Sequence, residues 1–512
     1  AEVLQTTTSE YRGCGRGIST IVGGSSRSYT TSFRTIDIKR SINLADIRSV
    51  SQWTARYWRH FQKRMRYLGI SEGFHNAAYA VVEGDKIIYA TEVERITRIK
   101  NDKRIPDFHF DTLKRKFNYD KTVFYEYTDI KNARREMYGM GKATPCRPYD
   151  IGNVFHHEAH AAAAYYTAPF TPDSTVVIDA IGEFDTASIW VDGKKVWNKT
   201  YPWSLGLFYS AITKRIGLKP NEDEYITMGM AAFGDICINM EEEIHSNCHR
   251  GFKRNKWFWN TPEDIAASAQ AHLEMELLNI FAKARKYGPN VAYAGGVALN
   301  CVANSKIRPK FDNMWIFPNP GDAGSALGCI LHKTKQRINF TDTFLGHNIS
   351  RSINPKLVVD TLLKRKVVGV ANGKAEFGPR ALGNRSLLGD VRFDIKDTVN
   401  NIKRRQKFRP FAPAILSEYY EKYFEGYGNE YMQFVAKAKH DYNSVTHVDG
   451  TARVQVVKPS SKSALRPILE EYYERTGVPM LLNTSLNIKG EPMVNTRTDA
   501  ERFQTNYGVR VF

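Results

Sequence analysis

The chain has 512 residues, 42% hydrophobic and 25% charged, enough for two or more sizeable cores and ordinary for a globular protein. Its 73 Lys and Arg against 54 Asp and Glu leave a net charge of +19, which favours a polyanionic partner over a neutral sugar or a cation. No apolar run approaches the ~20 residues of a membrane span and no secretory signal is evident; six scattered Cys without a Cys-x-x-Cys fit a reducing cytoplasm, not a disulfide scaffold.

Residues 1 to about 50 are rich in Ser, Thr, Gly and Arg with little hydrophobic periodicity, so residues 1–66 are expected to form a basic extension outside the core. Two stretches, Arg56 to Arg66 and His249 to Trp259, interleave cations with aromatic rings. Such segments offer phosphate contacts beside stacking platforms worth roughly 1–3 kcal/mol per base, or else form amphipathic elements whose rings pack inward.

His156 and His160 stand four apart in an Ala-rich run that reaches Ala164. As a helix, this run presents both imidazoles on one face about 6 Å apart at Cβ, which is metal-ligand spacing. Reading from His157 gives His-Glu-Ala-His, so the His-Glu-x-x-His pattern of a zinc protease is not met and the general-base Glu of that class is missing. The competing account is that these histidines cap or fill a core. Further on, Val176-Val177-Ile178 reads as a strand, followed by Asp179, which could hold a metal or a phosphate-bound water, and then by Gly182. Val291 to Ala294 reads as another strand, and Gly295-Gly296 at its end lets backbone amides approach a flat or phosphorylated ligand. Neither segment is a Walker loop or a dinucleotide fingerprint. Asp322, in a Pro-Gly-Asp-Ala-Gly turn, is the best-placed third ligand for a two-His, one-carboxylate set, which suits non-haem iron or another divalent ion.

A polar, turn-rich stretch from Asn348 to Pro355 marks a domain boundary. The amphipathic segment Lys356 to Lys366 follows it, and Val367 to Ala371 then reads as the first buried strand of a second domain. Beyond this lie three motifs: Glu376-Phe377-Gly378-Pro379-Arg380 running on to Arg385-Ser386, Lys407-Phe408-Arg409-Pro410-Phe411-Ala412-Pro413, and Asn483-Thr484-Ser485-Leu486-Asn487.

Taken in order, and with Gly69-Ile70-Ser71 to His75, Glu92 to Lys100 and Met228-Gly229-Met230-Ala231, these motifs resemble the O-carbamoyltransferases of nodulation-factor and antibiotic biosynthesis. The resemblance runs from about Leu68 to Pro492 and implies an α/β protein of two domains. Residues 67–350 would form a duplicated actin- and sugar-kinase-like domain, related to the threonylcarbamoyl-transfer enzymes, and residues 351–512 a YrdC-like domain. Carbamoyl phosphate and ATP would give a carbamoyl-adenylate in the second domain, and the first would pass the carbamoyl group to a hydroxyl.

By position, the resemblance implies ferrous iron on His156, His160 and Asp322, and a nucleotide loop of Gly295, Gly296 and Asn300. Asp179, Gly182, Ser386 and Asn483 join the expected nucleotide and phosphate contacts, while Arg380, Arg385, Lys407, Arg409, Ser485 and Asn487 form an expected anion set. Arg forks and a Lys suit the several negative charges of carbamoyl phosphate and ATP. His75, Lys407 and Arg409 are the expected catalytic groups, with His75 taking the acceptor's proton.

Three positions depart from the family pattern: Asn76 replaces the usual Asp after His75, Ala180 replaces Gly, and Ile226 stands where Lys is common. Net charge points the acceptor choice toward DNA, whose only suitable hydroxyl is that of a 5-hydroxymethylpyrimidine, as in a virus-encoded enzyme that masks its genome. The alternatives are a small-molecule or sugar acceptor, and a nucleotide-gated nucleic-acid-binding protein without catalysis.

Overall fold

The computed structural model describes residues 65–74, 76–141, 152–350 and 352–512. Two sheets form its N-terminal part. The first contains β1 (Arg66–Ser71), β2 (Ala78–Glu83), β3 (Lys86–Glu92) and β4 (Lys121–Phe124) in the order β3-β2-β1-β4. The second contains β5 (Ser174–Ile178), β6 (Asp185–Val191), β7 (Lys194–Thr200), β8 (Asn290–Ala294) and β9 (Asn313–Ile316) in the order β7-β6-β5-β8-β9.

In each sheet an antiparallel three-strand meander comes first, and the next strand runs parallel to the first of the three. The same order and the same strand senses thus occur twice, an internal duplication of the kind the family resemblance implies. β5 and β8 are apolar because both faces are covered: Val176, Ile178, Val291 and Tyr293 pack with Leu273 and Leu277 of the long helix Pro262–Arg285. That helix begins with a reciprocal capping box between Thr261 and Asp264, with Pro262 inside its first turn.

Two helices lie between the sheets. The histidine helix, His156–Thr167, matches the spacing of its sequence, and it is buried nearly all round because its Ala side chains leave room for close neighbours. Its N-terminus is capped from outside: the Glu183 carboxylate accepts from the His156 amide at 3.1 and 3.2 Å, placing negative charge at the positive end of the helix. The second helix, Asp322–Thr334, starts after β9 but returns to the first sheet, where Ala326, Leu327 and Ile330 pack with Leu68, Ile70 and Val81.

The two helices touch backbone to backbone. A Cβ on Gly328 would lie 1.9 Å from the Ala159 carbonyl oxygen, and one on Gly69 1.9 Å from the Ala326 oxygen. Gly328→Ala is therefore expected to lower stability by about 3 kcal/mol or more, measured as a fall in the urea midpoint with no gain of compensating contacts.

The C-terminal part centres on β11 (Val367–Ala371), β13 (Arg385–Gly389), β14 (Ala412–Leu416), β18 (Gln455–Val457) and β19 (Met480–Ser485), ordered β11-β13-β19-β14-β18. Only the β14/β18 pair is parallel. One face packs against helices Pro355–Arg365 and Leu465–Thr476 through Val358, Leu362, Ile468 and Leu469. A ribbon of β10 (Phe344–Ile349) with β12 (Gly373–Glu376) and a small sheet of β15 (Phe424–Glu425), β16 (Ala436–Ala438) and β17 (Thr451–Ala452) complete it. The β12–β13 loop, the approach to β14, the approach to β18 and the end of β19 all emerge at one end of this sheet, as the strand senses require. Among the described residues no helix is long and apolar enough to cross a membrane.

Candidate active site

His156 and His160 meet two carboxylates, Asp179 just after β5 and Asp322 at the first turn of its helix. One ligand atom from each of the four lies within 4.8 Å of the other three. The His156 Nε2 is 2.9 Å from Asp179 Oδ2 and 3.5 Å from Asp322 Oδ1, and the His160 Nε2 is 3.3 and 3.4 Å from the same oxygens. The two Nε2 atoms are 3.1 Å apart.

Two imidazoles and two carboxylates converging at one buried point fit a divalent cation of the first transition row. Without one, burial drives the His160 pKa down, but bonds to Asp179 and Asp322 outweigh it and hold it up at about 9. Asp179 answers in the opposite sense: burial would raise it, yet its bonds to His156 and His160 hold it well below the usual carboxylate range. His157 points elsewhere, its Nδ1 2.8 Å from Ser188 Oγ, and burial followed by the neighbouring His156 pushes it well below the usual imidazole range.

Sequence alone leaves Asp179 between metal and phosphate; the fold joins it to the histidines. The glycine pair fixes it there. Gly295 has φ +96°, and a Cβ on it would lie 2.1 Å from the Ile178 oxygen, so glycine is required. Gly296 then donates its amide to Asp179 Oδ1 at 3.0 Å, leaving Oδ2 to face the imidazoles. Gly182 packs on the first histidine, with a Cβ there falling 3.1 Å from His156 Cβ. Asn300 exchanges amide bonds with Gln270 at 2.9 and 3.1 Å and caps the following helix through Ala303. His75 lies outside the described residues.

A second cluster gathers at the loop end of the C-terminal sheet. Its members are Arg380, Lys403, Arg405, Arg409 and Arg453. Burial and then repulsion from neighbouring cations lower three of them: Arg380 to about 9 beside Arg453, Arg405 to about 8 beside Arg409 and Arg453, and Lys403 well below the ordinary lysine value. Lys403 donates to the Ser485 carbonyl and hydroxyl, and to the Asn487 carbonyl at 2.8 Å and side-chain oxygen at 3.1 Å. Arg405 stacks on Phe411 at 3.8 Å and donates to Asn400 and Pro410. Arg409 lies over the Tyr225 ring at 4.5 Å, so the cluster faces the N-terminal part. Next to Tyr225, Ile226 is buried in the core.

Arg385 and Lys407 are not among the cations of this cluster, and Ser386 and Asn483 lie in the strands beside it. Arg385 is fully buried and donates to the backbone carbonyls of His347, Asn372, Gly373, Asn384 and Asn495. Ser386 is buried in β13, opposite Ser485. Asn483 holds Gln455 at 2.6 Å and the Ala381 carbonyl at 3.2 Å. Lys407 is exposed, 3.5 Å from Asp397. Lys403, Arg405 and Arg453 escaped the sequence reading, although Lys403-Arg404-Arg405 is a visible run of cations just ahead of Lys407.

Of the two aromatic-basic stretches, Arg56 to Arg64 lies outside the described residues. In the other, Phe252 and Trp257 pack edge to face at 5.2 Å against the second core, while Phe258 and Trp259 are exposed.

Two family descriptions match the chain: Carbamoyltransferase N-terminus over residues 119–262 and 252–331, and Carbamoyltransferase C-terminus over residues 359–512. The chain belongs to the carbamoyltransferase family. This carbamoyltransferase is 29% identical to an uncharacterized protein of Synechocystis sp., the match covering 85% of this chain and 93% of that one. It is 30% identical to nodulation protein NolO of Bradyrhizobium diazoefficiens, over 67% of this chain and 75% of that one. With the 3'-hydroxymethylcephem-O-carbamoyltransferase of Amycolatopsis lactamdurans it shares 26% identity, over 85% and 95% of the two chains. The carbamoyltransferase assignment stands, but a DNA acceptor gains no support from these relatives.

Proposed function

We propose that this enzyme transfers a carbamoyl group from carbamoyl phosphate to the hydroxyl of a small molecule, with ATP consumed to AMP and pyrophosphate. The observation that carries this reading is the cation cluster, Arg380, Lys403, Arg405, Arg409 and Arg453, within the same compact unit as the His-Asp cluster. Cations that repel one another in a partly desolvated pocket are stabilised by a ligand of several negative charges, which carbamoyl phosphate and the ATP phosphates supply. The acceptor for which the Amycolatopsis relative is named, a 3'-hydroxymethylcephem, supports a small hydroxymethyl acceptor here.

The chemistry balances in three steps. Water cleaves carbamoyl phosphate to carbamate and phosphate. A carbamate oxygen then attacks the α-phosphorus of ATP, forming the mixed anhydride and releasing pyrophosphate. Finally the acceptor oxygen attacks the carbamoyl carbon, AMP leaves, and the acceptor's proton passes to a base, the role expected of His75.

Arg380, Arg409 and Arg453 would hold phosphate oxygens, and Lys403 would keep the β19 end, Ser485 and Asn487, facing them. We assign the C-terminal part, read as YrdC-like, to the activation steps and the duplicated part to transfer. A divalent ion, ferrous iron by the family resemblance, would be held by His156, His160, Asp179 and Asp322, and when bound it supplies positive charge for the transfer step.

Incubation of the metal-loaded protein with carbamoyl phosphate, ATP and a panel of hydroxyl compounds including 3'-hydroxymethylcephem tests this reading. The expected result is a carbamoyl mass gain on a small molecule with stoichiometric AMP. Hydroxymethylated DNA belongs in the panel: a gain there alone, falling steeply with salt, would restore the polyanion acceptor.

A further inference from the structure

The segment Glu92 to Lys100 belongs to the motifs noted in the sequence, yet none of its residues enters either cluster. Its position explains why it is there. Glu92 ends β3, and its Oε1 accepts from the Gly378 amide at 2.7 Å and from Asn319 Nδ2 at 3.1 Å. Arg95 donates to the Gly378 carbonyl at 2.9 Å and approaches the other oxygen of Glu92 to 3.4 Å. Both side chains are almost fully buried, 2% exposed for Arg95 and 6% for Glu92. Gly378 also lies directly against the other loop, since a Cβ on it would fall 3.1 Å from the Pro318 oxygen.

Asn319 begins the turn that delivers Asp322 to the metal cluster, and Gly378 lies two residues before Arg380 in the cation cluster. One ion pair therefore grips the amide and the carbonyl of Gly378 while also holding the side chain of Asn319. Three residues further on, Arg98 extends the grip by donating to Met493 and Pro492 at 2.6 and 3.0 Å.

We propose that Glu92 and Arg95 form a positioning clamp that couples the metal loop to the phosphate loop, so that occupancy of one site alters the affinity of the other. This rests on the reading of the two clusters given above. A displacement of the Arg380 loop by a bound phosphate must move Gly378, and Gly378 cannot move without disturbing Glu92 and, through it, Asn319. Such coupling is reciprocal, and its usual strength begins at about a 5-fold change in affinity.

The test is binding, not turnover. Inorganic phosphate is titrated by calorimetry into metal-free protein and into protein loaded with Co2+ and dialysed, with the visible Co2+ spectrum reporting the loaded site. For the wild type the two phosphate affinities should differ by about 5-fold or more. In Glu92→Gln, which keeps an accepting oxygen but sets an amide against Arg95, the ratio should fall to near one while each ligand still binds. Arg95→Lys, which keeps the charge but shortens the reach to Gly378, should do the same and serves if the first variant does not fold. An unchanged ratio in a folded variant, or equal affinities in the wild type, overturns the clamp. A wild type that binds no phosphate, or a His156→Ala variant that binds Co2+ as tightly as the wild type, would bring down the two-cluster reading and the clamp with it.

Discussion

Asp322→Ala is expected to lower divalent-metal affinity by at least about 100-fold and to abolish carbamoyl transfer. Changes one shell farther out already cost 10- to 100-fold in metal sites, and this change removes a ligand itself. Asp322 Oδ1 stands within 3.5 Å of both imidazole Nε2 atoms, so its loss leaves two histidines and Asp179 around an opened space. Metal content after dialysis and product formation are the two measurements. Asp179→Asn should behave alike, since Asp179 Oδ2 holds the same two imidazoles at 2.9 and 3.3 Å. Full metal retention in both variants would show that the cluster is a buried charge network without a metal role.

The second large effect separates two arginines that the sequence treats as equals. Arg409→Ala should raise KM for carbamoyl phosphate by about 10- to 100-fold, the value of one or two charge-assisted hydrogen bonds, with a melting temperature close to that of the wild type. Arg385→Ala should instead cost about 3 kcal/mol or more of stability, because carbonyls of His347, Asn372, Gly373, Asn384 and Asn495 lose a buried donor together. Paired thermal melts and initial-rate measurements distinguish them. A stable Arg385→Ala protein with a raised KM would place Arg385 on the ligand.

The difference between those two residues shows where sequence stops being informative. His156 and His160 are legible because helical spacing is local, and the strands ahead of Asp179 and Gly295 are legible as apolar runs. That Asp179 faces the histidines is not local: it depends on β5 lying parallel to β8, which brings the Gly296 amide to Asp179 Oδ1. Arg385 reads as an anion ligand by residue type, yet its donors are taken by a backbone cage visible only once β13 lies among its neighbours. Net charge says little about the acceptor for a related reason. Part of the excess cation is gathered in one half-buried group, Arg380, Lys403, Arg405, Arg409 and Arg453, and that part says little about the rest of the surface.

The return of the Asp322 helix to the first sheet also orders events during synthesis. His156, His160 and Asp179 leave the ribosome well over a hundred residues before Asp322, and Asp322 reaches them only when its helix docks beside Gly69 and Ala159. A nascent chain therefore offers an incoming ion only an incomplete, open set of ligands. The four-residue His-Asp set is complete only once the whole duplicated half has been made.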